Sequence, residues 1–101
     1  MNARWMGTDI DHYAVLSRPG DVGIGAENYH FNLMVCCPVC EALHVVTIAP
    51  AANRWRFDQA AMTLVPSVRV THSLGVCHWN LTDGVFIVHA DSNARKVSAD
   101  E

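Results

Sequence analysis

No apolar run in this 101-residue chain approaches the roughly 20 residues that carry a helix across a bilayer. The Met1 start also lacks the basic stretch and long apolar core of a secretory leader. Basic residues are in deficit. Seven Lys and Arg stand against ten Asp and Glu, a formal charge of −3 with a sequence pI near 6.0. Nucleic-acid binders usually carry the opposite surplus, so nucleic acid is disfavoured as a partner. Some catalytic signatures are missing as well. There is no His-Glu-x-x-His, and no His-x-Glu of the kind zinc deaminases pair with Pro-Cys-x-x-Cys. The glycine-rich stretch Gly20–Gly25 does not have phosphate-binding spacing and reads as a loop. These absences leave a cytoplasmic protein with no membrane segment, whose partner is another protein.

The composition present is that of a folded domain. Half the residues are hydrophobic and 17% are charged, enough for a core, and the length suits one domain. The pattern predicts a mainly β fold, a small single domain of antiparallel hairpins. Residues 29–90 form the β core, residues 1–28 a loop-rich segment of the same domain, and residues 91–101 a flexible polar tail. Tyr29–Val35 and Leu43–Ile48 read as two strands. Arg54–Phe57, Met62–Val65 (stopped at Pro66) and Val68–His72 read as shorter ones, as does Tyr13–Leu16. Asp83-Gly84 between Val76–Leu81 and Val85–His89 is a hairpin signal, because both turn positions tolerate positive φ.

The four cysteines carry the clearest chemistry. In an intracellular chain they are thiols or metal ligands before they are disulfides. Cys37-Pro38-Val39-Cys40 is a zinc-ribbon-like knuckle at the tip of a predicted hairpin, and Cys77-His78 lies far along the chain. Zn²⁺ takes four such ligands in a tetrahedron. The expected set is Cys37, Cys40, Cys77 and His78. Neighbours on a strand point to opposite faces, so Cys77 and His78 could share an ion only across a bulge. His72 and then Cys36 are the alternatives for the fourth place. A redox dithiol would need a helix after the knuckle, and Glu41–Thr47 reads as turn then strand.

The order Cys37-Pro38-Val39-Cys40, Trp55, Leu64-Val65-Pro66-Ser67-Val68 and Cys77-His78-Trp79-Asn80-Leu81-Thr82-Asp83-Gly84 resembles domain of unknown function 6527, across about residues 29–90. That family occurs in bacteria and phages, sometimes beside ubiquitin-like conjugation genes. The resemblance implies metal binding, with Cys37, Cys40, Cys77 and His78 at the candidate ligand positions, and no activity.

Other groups read as ordinary. Trp55 and Phe57 face a core while Arg54 and Arg56 face water. Ser67 follows Pro66 in a turn with no base placed to activate it. His30, His44 and His89 sit on exposed strand faces, and Asp9, Asp11 and His12 belong to an acidic start. With no catalytic constellation in view, the reading is a structural-zinc protein rather than an enzyme. It acts as a protein-binding or adaptor module, for instance a phage or mobile-element accessory acting on a host system. The alternative is a metal-dependent hydrolase, and a three-ligand metal with an open position would favour it.

Overall fold

A computed structural model describes residues 1–8, 16–27, 30–49 and 55–96, and the side chains of 26, 27, 30 and 49 are not described. The fold is mainly β, and no described residue is helical. No helix is long and apolar enough to cross a membrane. Among the described residues, eight strands form two four-stranded sheets. The first holds β1 (Arg4–Trp5), β2 (Asp21–Glu27), β3 (His30–Cys36) and β4 (Leu43–Ala49), in that order. The second holds β5 (Arg56–Asp58), β6 (Thr63–His72), β7 (Gly75–Thr82) and β8 (Val85–Val88), also in chain order. All pairings between named strands are antiparallel except β1 with β2.

One core joins the sheets. Val22, Leu33, Val35 and Val46 from the first meet Leu64, Val68, Trp79, Leu81 and Phe86 from the second, with Cys37, Cys40 and Cys77 in the same cluster. Alternation along β7 sets this up. Cys77, Trp79 and Leu81 are buried, while His78 and Asn80 are half-buried on the opposite face. Trp79 is the largest side chain with no exposed surface, and it meets Phe86 edge-on at 5.2 Å.

The turns follow from local chemistry. Asp83 (φ 50°) and Gly84 (φ 75°) adopt the double positive φ that a two-residue hairpin requires. Gly75, at φ 125°, has a second reason to be glycine. A Cβ there would lie 2.7 Å from Asn93 Oδ1 and 2.8 Å from Ala94 Cα, because the chain after β8 runs back across this point.

Three expectations change. The glycine-rich stretch is strand β2, not a loop, and its start is anchored by Asp21. That buried carboxylate accepts two hydrogen bonds from Arg4, at 2.8 and 2.9 Å, and one from the Arg18 amide. Pro66 does not end a strand but lies inside β6. Leu64 pairs with Leu81 and Val68 with Trp79, so Val65, Pro66 and Ser67 face Asn80 alone. An irregularity of this kind tolerates proline, since no ladder N–H is needed there. Beyond β8, residues 91–95 are tied to β7. Asn93 and Ala94 amides donate to the Val76 carbonyl, and the Arg95 amide donates to the Leu74 carbonyl in the turn just before β7. The strand expected over Tyr13–Leu16, and the residues Asp9, Asp11 and His12, fall largely or wholly outside the described residues.

Candidate active site and metal centre

The β3–β4 connection is the cysteine knuckle. The Cys37 amide donates to Ala42 O and the Glu41 amide to Cys37 O, closing a tight turn with Glu41 at φ 65°. The Val39 amide donates to Cys37 Sγ at 3.3 Å. Across the core, Cys77 points inward from β7. The ligand atoms of Cys37, Cys40, His44 and Cys77 all lie within 4.8 Å of one another, and all four residues are buried. A tetrahedron with zinc–sulfur bonds of about 2.3 Å has sulfur–sulfur edges of about 3.8 Å, so the four groups could close on one ion with little movement.

The chemistry of the donor set fits a cation. Burial, followed by the neighbouring Cys37 sulfur, pushes the Cys77 thiol up strongly, as it must when thiols crowd without a positive charge between them. A bound cation would relieve that crowding, because metal ligation takes sulfur as thiolate. His44 Nε2 lies 3.4 Å from Cys40 Sγ. His44 therefore fills the place expected for His78. The sequence misleads here because Leu43–Ile48 has apolar residues at both parities. The observed register pairs His44 with buried Val35 and turns Val45 outward.

The other two proposed ligands have separate roles. The Leu74 amide donates to His72 Nδ1 at 3.1 Å, so the ring proton sits on Nε2, which donates to Cys77 Sγ at 3.4 Å. His72 is thus an N–H donor to the Cys77 sulfur, the relation a neighbour would have to a sulfur that holds a metal. Cys36 belongs to a different apolar cluster with Leu16 and Met34. Its Sγ donates to Glu41 O, and burial raises the thiol to about 11.

His78 faces the opposite way, onto the outer surface of the second sheet. Its Nδ1–H donates to Asp91 Oδ1 at 2.8 Å. That leaves Nε2 with its lone pair free to accept from Ser67 Oγ at 3.2 Å. Asp91 Oδ2 accepts from Arg69 Nε at 3.1 Å. The hydrogen bond from His78, and then that from Arg69, hold the Asp91 carboxyl below its ordinary range. The sign is that of a group favoured when charged. Its contribution is present above the unfolded value, about 3.9, and is lost as pH falls through the lower folded value.

Each member is held from below. Ser67 sits in the β6 irregularity, with its carbonyl accepting from Trp55 Nε1 at 3.4 Å. Ser92 brackets the His78 backbone, its Oγ accepting from His78 N and donating to His78 O, both at 2.9 Å. That bracket brings Asp91 alongside the imidazole. His89 stacks on His78 with ring centroids 4.0 Å apart, and its Nε2 donates to Asn80 Oδ1. The base missing from the reading of Ser67 is therefore His78, eleven residues on in the chain. His89, read as an exposed-face residue, is half-buried against it.

A hydroxyl, an imidazole and a carboxylate in this relation are a Ser–His–Asp triad, which geometry defines and chain order does not. The chain matches the family of the bacterial ubiquitination-like system serine protease (BubE) over residues 10–89 and belongs to that family. No curated protein and no solved structure matches it. This family takes the place of domain of unknown function 6527, and it overturns the adaptor reading and the phage association, neither of which a protease family supports. The matched segment contains Ser67 and His78. Asp91 lies two residues past its end.

Asp91 therefore makes a direct test of the triad. Asp91→Asn keeps the shape but loses the charge that fixes the His78 tautomer. We expect kcat to fall about 10²–10⁴-fold with KM nearly unchanged, measured on p-nitrophenyl acetate. A kcat within about threefold of wild type would reduce the triad to a Ser67–His78 pair.

Proposed function

We propose that this protein is a serine protease of a bacterial ubiquitination-like system, with Ser67 as nucleophile, His78 as general base and acid, and Asp91 orienting His78. The observation carrying this reading is the continuous hydrogen-bond chain from Ser67 Oγ through both His78 nitrogens to Asp91. The family match supports it independently. Of the two readings offered by the sequence, the hydrolase is retained and its dependence on an open metal position is dropped.

The reaction follows from the geometry. Ser67 Oγ attacks the scissile carbonyl carbon while His78 Nε2 accepts the hydroxyl proton. The Asp91 carboxylate stabilises the resulting imidazolium through Nδ1–H without taking its proton. When the tetrahedral species collapses, the C–N bond breaks and His78 returns the proton to the leaving amine. An ester to Ser67 remains. Water then attacks that ester with His78 again as base, releasing a carboxylic acid and restoring the hydroxyl.

The substrate on this reading is another protein. The triad lies on an open sheet surface, which suits an extended chain segment better than a small enclosed molecule. Exposed Val65 and Ile87 flank it and offer apolar contact to such a segment. The metal we assign to Cys37, Cys40, His44 and Cys77 is Zn²⁺. It would supply cross-linking of the knuckle to β7 rather than Lewis-acid chemistry, since four protein ligands leave no open position.

The decisive test is active-site labelling. A fluorophosphonate should attach to the folded protein at Ser67 alone, located by peptide mass spectrometry, and not to Ser67→Ala. A folded, metal-replete protein left unlabelled at Ser67 would sink the protease reading.

A further inference from the structure

Acyl transfer needs more than a triad. As Ser67 attacks, the carbonyl oxygen gains negative charge, and serine hydrolases place N–H donors about 2.7–3.1 Å from where that charge forms. The residue before the nucleophile is Pro66, which has no N–H to contribute. The backbone N–H of the nucleophile can serve, and a side-chain donor on the outer face of the sheet would complete the site.

The strand register says which side chain is next to Ser67. Val68 pairs with Trp79, and Arg69 with His78. The register breaks between Leu64 and Val68, and Asn80 is the β7 residue left facing Val65, Pro66 and Ser67 across that break. On β8, Asn80 pairs with Ile87 and Trp79 with Val88. His89 is thereby level with His78, and its amide donates to the His78 carbonyl.

We infer that Asn80 is a catalytic residue of this site, its Nδ2 donating to the oxyanion formed at Ser67; the inference rests on the protease reading above. Two observations carry it. Asn80 Oδ1 is already occupied by His89 Nε2–H, which fixes the amide plane. Its Nδ2 makes no hydrogen bond to any described residue, although Asn80 is half-buried. An amide held through its oxygen, with an NH₂ group that has no partner among the described residues, is a preorganised donor, costing little reorientation when charge develops. His89 is then a positioning residue. Its ring face supports His78 and its Nε2 aims Asn80, so one side chain sets both the base and the donor. Arg69, the other outward donor nearby, lies across from His78 and is engaged by Asp91.

The test uses full-length protein, p-nitrophenyl acetate as substrate and fluorophosphonate labelling of Ser67. Asn80→Ala should lower kcat about 10²–10³-fold with KM within about twofold. Asn80→Asp keeps the size and an acceptor for His89 but replaces the donor by a negative oxygen, and it should lose at least as much. It also carries the test if the alanine variant fails to fold. His89→Phe keeps the stacked ring and frees Asn80, so kcat should fall about tenfold, again with KM unchanged. Asn80→Ala or Asn80→Asp cleaving within threefold of wild type, or a loss confined to KM, would overturn the role of Asn80 while leaving the triad intact. Wild-type protein that neither hydrolyses the ester nor accepts the probe would instead defeat the protease reading, and this inference with it.

Discussion

Ser67→Ala should abolish hydrolysis, with kcat falling about 10⁴–10⁶-fold, while the protein melts at the wild-type temperature and keeps its metal. The size of the effect follows from covalent chemistry. Without the hydroxyl no acyl intermediate forms, and only water activated by His78 remains as nucleophile. Stability should be indifferent because, among the described residues, the Ser67 side chain makes a single hydrogen bond, to His78, at a half-buried position. The Trp55 contact is to the Ser67 backbone carbonyl and survives the substitution. His78→Ala should cost nearly as much, and the double variant scarcely more than either single one, since the two groups act as a unit. A Ser67→Ala protein that still cleaves at a tenth of the wild-type rate would move the nucleophile elsewhere. Melting curves and ester hydrolysis on the same preparations make the comparison.

The site was legible in proportion to how local its signals are. Cys-x-x-Cys is a contiguous device, and its geometry is set by its own turn. Cys37 and Cys40 converge for that reason. Asp83-Gly84 is likewise local, and the hairpin it implies is the one observed. Cys77 required a tertiary pairing, yet as the one cysteine outside the cluster it could be picked by elimination. His78 could not be settled by adjacency to Cys77. The alternation of strand side chains argued that the two point apart, and with β7 regular at Cys77–Trp79 that rule prevails. Ser67 was passed over because its base lies on the next strand. The contact exists only through the β6 irregularity, which no sequence period announces. Asp91 was placed in a polar tail for lack of apolar patterning, whereas its segment is held by backbone hydrogen bonds to β7, which do not depend on composition. The glycines of β2 concealed a strand in the same way. Strand pairing there is a property of the neighbours, β1 and β3, more than of the segment's own propensity.

Strand β7 carries both centres, and this ties them physically. Cys77 faces the core and His78 faces the solvent one residue later, so anything that releases Cys77 also releases the backbone that aims the base. Metal should therefore control activity without touching substrate. Sheet two has its own cohesion in Trp79, Leu81 and Phe86, and it meets the first sheet in the cluster that holds the cysteines and through the hydrogen bonds of Met1 and Ala3 to Phe86 and Gly84.

The largest stability effect should accordingly come from the metal ligands. We expect about one zinc per chain. Cys37→Ser and Cys77→Ser should each lose it and fail to give a cooperative melt, because a structural zinc contributes about 10–16 kcal/mol in small domains, comparable with the whole stability of a chain this size. His44→Ala should behave likewise, whereas His78→Ala should retain the metal and the fold while losing activity. That pair separates the two histidines by function. Stripping with a chelator should abolish secondary structure and ester hydrolysis together, along one curve. Replacement by Co²⁺ should restore both, with kcat within about threefold of the zinc form, since an ion with four protein ligands takes no part in the bond-breaking step. Activity lost well before the fold, or a kcat that tracks the identity of the metal, would place the ion at the reacting centre and refute the division of labour across β7.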